Sequence, residues 1–513
     1  MSGYKAGIDR TQIGMYSLED MVGQQAMVRV IDRFIDKQNL ERLGFTKTTP
    51  SYTGRPAYPP SALCKLYVYG YENGIRSSRK LERETYRNIE VMWLMDSLKP
   101  DYKTISEFRR ENQRPLQKLF REFVKLCKSW DLIGGELEAF DSSKFKASNN
   151  KKSNFSRKKL DDRVARLDEK INNYFAEIEA TDKAEASETT EESTNIPELL
   201  AKLEELQTRK TQYENYKKQL DETGENEVST VDPDARLMGN NRGGVDVAYN
   251  VHSAVDAKND IIVAYEVTTN PADHHQLGSL IKQVKRILRV KRFTALADKG
   301  YYNGPDLLRA KKHKVLAIIA RQNPPTPKNL PEEFHTENFK YNESTDAYTC
   351  PQGHALPKRS KKTAQRQKYY NKSACSNCPH RSECIKGNAK YRTVTRSHYS
   401  KIYEQADKRF AENKELYRRR QEIVEHPFGT VKRTMNGGYF LLRTRRKVRT
   451  EIALLFLGYN LKRALNVLGF DAIMARLDAI SGPSYQFHFP ASVLCFVRTY
   501  LGRTIRISLP LLG

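Results

Sequence analysis

Phe293-Thr-Ala-Leu-Ala-Asp-Lys-Gly-Tyr-Tyr302 is an apolar run of strand length that stops at an acid and a glycine. It reads as a strand ending at Asp298-Lys-Gly, where the chain must turn. Leu137-Glu-Ala-Phe-Asp-Ser-Ser-Lys-Phe145 reads as a second strand, with Asp141 among hydrophobic and small residues. An acid within or ending an apolar strand is costly to bury unless something pairs with it. The plain alternative for either acid is a hydrogen bond to its own turn.

A third acid lies in Tyr417-Arg-Arg-Arg-Gln-Glu-Ile-Val-Glu-His-Pro-Phe-Gly-Thr-Val-Lys432, a basic helical stretch. Glu425 and Lys432 are seven residues apart, close to two turns, so they share a face, as does Arg418. Pro427 and Gly429 are expected to bend the segment. A carboxylate set among cations suits a metal held beside phosphate, although a solvated basic helix with a chance glutamate has the same composition. Two strand acids and a helical acid form a set able to hold two Mg²⁺ ions for an in-line phosphoryl displacement.

In the order Asp141, Asp298, Glu425 the chain resembles the DDE transposases of bacterial insertion sequences. Tyr417, Arg420, Glu425 and Lys432 resemble the branch with a Tyr/Arg…Glu…Lys signature, with an Arg-to-Glu interval one residue longer than its commonest form. Ala297-Asp-Lys-Gly-Tyr301 is similar to the family's second-acid motif. The resemblance covers roughly residues 15–470. It implies a ribonuclease-H-like core, two Mg²⁺ (or Mn²⁺) ions on Asp141, Asp298 and Glu425, and cleavage at element ends followed by strand transfer. It further implies that Lys432 and Arg420 hold the transferred strand and that Tyr417 orients it. A nuclease that cuts without joining, or an inactive zinc-containing DNA-binding protein, would carry the same motifs.

The remaining core elements fit that class. Val245–Ser253 and Asp260–Thr268 read as a hairpin, followed by a helix over about 275–289 and, after the Asp298 strand, a helix near 305–312. Val315–Ala320 is another buried strand. Three strands, helix, strand, helix, strand and an acid-bearing helix predict a ribonuclease-H-like α/β layer over 135–322 with 390–468. His252, His274 and His275 fall near this sheet and read as ordinary surface or core histidines.

Residues 15–130 read as helical and as a DNA-binding domain. Prolines open a helix near Ala57–Gly74, Ser77 stands where it would cap the next, and a further pair spans about 104–128. Arg76, Arg79, Lys80, Arg83, Arg109 and Arg110 are candidate DNA contacts there; a helical bundle merely solvated by its cations is the alternative. Arg443, Arg445 and Arg446 are candidates after the signature helix, where residues 401–450 hold 14 bases against 6 acids.

Residues 157–230 predict an inserted helical hairpin, from Leu160, Val164, Leu167, Ile171, Tyr174 and Ile178 and then Leu199, Leu203, Leu206, Tyr213 and Leu220. Within it residues 181–230 carry 13 acids against 6 bases, which keeps that stretch off DNA and suits dimerisation or a plain structural insert.

Cys350 with Cys375-Ser-Asn-Cys378 and Cys384 supplies four thiolates for a closed, structural Zn²⁺ site in a small zinc-ribbon-like insert over 345–388. His354 or His380 would replace one cysteine in a Cys₃His set, and free thiols in a loop are the alternative. Cys64, Cys127 and Cys495 read as core residues. The tail over 470–513 shows no clear periodicity.

A formal charge of +26 over 513 residues makes a polyanion the expected partner, double-stranded DNA first and an anionic membrane second. No apolar run approaches the ~20 residues of a membrane span and no signal peptide is evident, so a cytoplasmic, nucleoid-associated protein is expected.

Overall fold

The computed structural model describes residues 16–49, 56–185, 196–240, 243–321, 330–360 and 366–480. Helices fill the first part: Met27–Asp36, α1 (Pro60–Glu72), α2 (Ser78–Arg87), α3 (Tyr102–Glu111) and α4 (Gln113–Ser129). Pro60 occupies the first turn of α1, where a missing N–H costs nothing. Ser77 precedes α2 as expected, but its side chain makes no capping bond. Asp101 does cap α3, accepting from the Thr104 N–H at 2.7 Å.

The sheet comprises β1 (Leu137–Lys146), β2 (Arg236–Gly239), β3 (Val245–Asp256), β4 (Ile261–Thr268), β5 (Phe293–Ala297) and β6 (Val315–Ile319). Its order is β2-β3-β1-β5-β6, with β4 also pairing β3. β3 runs antiparallel to β1, β2 and β4, whereas β1, β5 and β6 are parallel. Between β1 and β2 the chain leaves the sheet for the antiparallel helices α5 (Arg157–Glu185) and α6 (Ile196–Thr223). Phe155, Leu160, Leu167, Tyr213, Leu220 and Val228 form the hairpin's own small core; Leu160, Leu167, Tyr213 and Leu220 belong to the seam read from the apolar spacing.

Helix α7 (Leu277–Leu288) joins β4 to β5, and α8 (Gly304–Lys312) joins β5 to β6. After β6 come a three-stranded antiparallel sheet (Lys340–Asn342, Ala347–Thr349, Ala355–Pro357) and the strand pair Arg366–Tyr369 with Val394–Ser397. The chain returns as α9 (Ser400–Glu412) and α10 (Lys414–Gly429). Pro427 lies inside α10, which passes into a wider π turn over Thr430–Thr434.

Helix α11 (Arg445–Leu468) is buried on every side from Ile452 to Leu461, as a helix between layers must be. It packs on α1, α4 and β4. Asn460 is fully buried because its amide serves both backbone groups of Ile262, at 2.9 and 2.8 Å. The region after 470, read as a tail, opens with α12 (Phe470–Asp478), whose Ile473 and Leu477 are buried. Cys495 and the rest of that stretch lie outside the described residues.

Candidate functional site

Parallel pairing of β1 with β5 sets Phe140 opposite Ala297. The next residue on each chain segment is an aspartate, so Asp141, in the middle of β1, and Asp298, just past the end of β5, stand side by side, about 5 Å apart in backbone. The Arg420 guanidinium from α10 lies against both, 3.7 Å from Asp141 and 3.5 Å from Asp298. Burial lifts Asp141 from 3.8 to about 6, opposed by Arg420 and the Ser142 N–H and reinforced by Asp298 and Asp273.

Tyr417 lies one turn before Arg420, its ring 5.8 Å from the guanidinium and edge-on to Phe410 at 5.0 Å. Its hydroxyl hydrogen-bonds the Ala320 backbone, and burial raises its pKa. Lys432 donates to Ser143 Oγ at 2.5 Å and to the Lys144 carbonyl at 2.8 Å, and it lies over the Phe145 ring. Desolvation pushes its ammonium down to about 8, helped by Lys144 and opposed by Asp141.

Unlike the two aspartates, Glu425 forms no ion pair with Arg420. It is exposed and accepts a 2.7 Å hydrogen bond from Gln421, one turn back on its own helix. The reason is angular: five residues separate it from Arg420, about 140° around the helix, whereas it shares the face of Lys432. That face reaches β1 at Ser143, two residues beyond Asp141.

Asp273, in the turn before α7, was missed from the sequence. Its Oδ1 accepts from Ser142 Oγ at 2.6 Å and Asn250 Nδ2 at 2.9 Å, with the Lys144 ammonium 3.7 Å away. Those donors hold it below the usual carboxylate range despite burial. Gly300 allows the approach: a Cβ there would sit 2.6 Å from Asp273 Oδ2. Asp273 thus braces β1 against the turn carrying Asp298. Asn270-Pro271 beside it was the available signal, a turn whose acid points inward.

His252 is a core histidine. It is fully buried between the Tyr301 hydroxyl (2.7 Å) and Thr268 Oγ1 (3.2 Å), and burial drives it down to about 4. His274 and His275 flank the Asp273 turn, and His274 Nδ1 is buried without a partner.

Among the candidate DNA contacts, Arg79, Lys80 and Arg83 on α2 and Arg110 on α3 are exposed, as are Arg443, Arg445 and Arg446 around the start of α11. Arg76 and Arg109 are corrections, since both are buried. Arg76 pairs with Glu451 of α11 at 2.9 Å and donates to the Tyr439 carbonyl; Arg109 donates to the Tyr71 hydroxyl at 3.3 Å. Arg76 ties the helical layer to α11, Arg109 braces that layer internally, and both are buried.

Cys350, Cys375, Cys378 and Cys384 line one cavity of about 30 Å³ with His354, and all four are free thiols. Cys350 Sγ accepts from the His354 N–H at 3.3 Å across a tight turn. Burial raises the Cys384 thiol, with Arg392 opposing and the other three cysteines adding to the rise. His380 instead contacts Glu383 and Phe334. Cys64 and Cys127 are fully buried, as expected. Among the described residues no three His, Cys, Asp or Glu side chains stand in ready metal-binding geometry, and no helix is long and apolar enough to cross a membrane.

Two family models match. Transposase domain (DUF772) covers residues 16–111, the helical layer through α3, and Transposase DDE domain covers residues 349–465. The second contains the four cysteines, Tyr417, Arg420, Glu425 and Lys432; Asp141 and Asp298 lie outside it. Together the matches support a DDE transposase of an insertion sequence, a protein that acts on DNA through a ribonuclease-H-like core. No curated protein matches the chain.

Proposed function

We propose that this protein cuts DNA at the ends of its insertion sequence by metal-assisted phosphodiester hydrolysis and joins the freed 3′-OH to target DNA. One observation carries the reading: Asp141 and Asp298 sit side by side on parallel strands with a cation already against both. Paired hard oxygen donors that attract a guanidinium fit Mg²⁺ or Mn²⁺. Asp141, Asp298 and Glu425 would hold two such ions, Glu425 after exchanging its Gln421 contact. When bound, they would activate the attacking oxygen and stabilise the leaving one.

The chain's own groups do the rest. Arg420 and Lys432 neutralise the strand beside the scissile phosphate, and Tyr417 holds Arg420 at the sheet end. Asp273 positions Lys144 and the Asp298 turn. Arg79, Lys80, Arg83 and Arg110 on one side and Arg443, Arg445 and Arg446 on the other contact the phosphate backbone of double-stranded DNA. The four cysteines would hold a structural Zn²⁺ in a zinc-ribbon-like insert, with His354, which lines the same cavity, as the alternative fourth ligand. A homodimer in the bacterial cytoplasm, at the nucleoid, fits a protein that must hold two DNA ends.

The exposure of Glu425, engaged by Gln421, gives weight to a second reading, a DNA-binding protein with a lapsed site. Incubation with Mg²⁺ and DNA bearing the sequences that flank the gene separates the readings. Cleaved and joined products, lost in Asp298→Asn, are expected. Nicked products without joining would indicate a nuclease, and no cleavage would indicate the lapsed site.

A further inference from the structure

A large groove of about 860 Å³ opens at the same end of the sheet, between the post-β6 insert and α9. Its aromatic lining includes Tyr302, Tyr403, Tyr341 and Tyr348, and its cations are Arg321, Arg392 and Arg396, with His335 beside them. Tyr302 comes four residues after Asp298, and Arg321 two residues after Ile319, which pairs with Ala297. Tyr417 links the two places, since its hydroxyl bonds Ala320 while its neighbour Arg420 contacts both aspartates. Tyr302 and Arg321 therefore set one rim of the groove a few residues beyond the strand ends that border the candidate active site.

The side chains in it are held as platforms. Tyr302 stacks on Tyr403 at 5.1 Å and donates to Asp407 at 2.6 Å, so its ring is fixed at both ends. Arg396 lies flat over Tyr341 at 3.8 Å and is fixed by Glu404 at 2.7 Å. Arg392 covers Phe339 at 5.5 Å. The groove's acids, Glu337, Glu404 and Asp407, nearly offset its arginines, and Asp407 stands 3.6 Å from Arg321. A duplex backbone calls for a strongly positive face, which this groove lacks. Fixed aromatic rings interleaved with guanidinium planes suit unpaired bases, whose π faces stack without regard to sequence. The volume is enough for one or two nucleotides.

We propose that this groove takes unpaired nucleotides of the DNA strand adjoining the bond to be cut, stacking their bases on Tyr302 and Tyr341 with Arg321 and Arg396 beside them. The inference rests on the DNA-acting reading but not on catalysis. Its test uses the full chain carrying Asp298→Asn, in EDTA, with a fluorescent oligothymidine containing one 2-aminopurine, against a duplex of equal length. Binding of the single strand with 2-aminopurine quenching is expected. Tyr302→Leu should weaken it about tenfold, the scale of one lost base stack, and Tyr302→Phe should restore it. Arg321→Ala, an exposed position that spares folding, should weaken it less. Duplex affinity should stay unchanged in all three. Equal single-strand affinity in Tyr302→Leu and the parent, or a parallel loss of duplex binding, would overturn the groove assignment and leave the transposase reading standing. Intact groove binding in a chain that never cleaves DNA would instead fail that reading alone.

Discussion

At the scale of single residues, the site is built by placing charges where the fold resists them. Asp141 is lifted to about 6 because burial outweighs Arg420, so the folded chain holds this proton more tightly than the unfolded chain does. The contribution of that bound proton to stability is full below about pH 4 and is lost as pH rises through 6. Asp141→Asn keeps the neutral form at every pH. In metal-free buffer the variant should therefore melt above the parent at pH 7.5 and together with it at pH 4, measured by scanning calorimetry. Equal melting at both pH values would mean that Asp141 is not buried as described. Asp141 and Asp298 were legible in the sequence because each interrupts an apolar strand. Asp273 was not, because a turn acid with an inward role has the same local sequence as a solvated one. Arg76 and Arg109 misled for a related reason: the burial of an arginine is decided by its partner, and Glu451 lies 375 residues from Arg76.

At the scale of elements, helix ends carry the predictions. In the sequence the apolar run of α11 begins only at Ile452. The structure starts the helix at Arg445 through a cap supplied from elsewhere in the chain. The Thr444 N–H, at a residue with φ +73°, donates to Asp232 at 3.0 Å, and the Arg445 N–H donates to Asp234 at 2.8 Å. No local sequence rule finds a cap 211 residues away. Asp234→Ala should cost about 1 kcal/mol, as lost N-caps do, read from urea unfolding. Asp232→Ala should cost more, because Tyr249 also donates to that carboxylate inside the core. The four cysteines grouped by their spacing line one cavity. Cys378→Ser should remove one equivalent of zinc by elemental analysis while leaving the rest of the chain folded; an unchanged metal content would exclude the Zn²⁺ assignment.

At the scale of the whole molecule, the helical layer and the sheet share one continuous hydrophobic core, running from Val22 to Leu477 through α11. The succession of strands and helices along the chain was legible because most of these strands are apolar runs; the short strand Arg236–Gly239, with no such run, was not. The joining of the two layers was not, since it depends on contacts between distant segments. The Arg76–Glu451 pair spans the joint with side chains 1% and 0% exposed, so removing either charge leaves the other stranded. Glu451→Gln should destabilise the whole chain by about 3–5 kcal/mol and, in chemical denaturation, lower both layers in one transition. Two separated transitions in the parent protein would contradict a shared core.

The account depends on a pair of aspartates on adjacent parallel strands and a helical glutamate drawing divalent cations into one place. Mn²⁺ binding to the full chain, followed by electron paramagnetic resonance, tests this without any DNA. Tight binding is expected in the parent, with marked weakening in Asp141→Asn, Asp298→Asn and Glu425→Gln alike. Binding that survives Asp141→Asn and Asp298→Asn would contradict the account at its base, and binding indifferent to Glu425→Gln would remove Glu425 from the site.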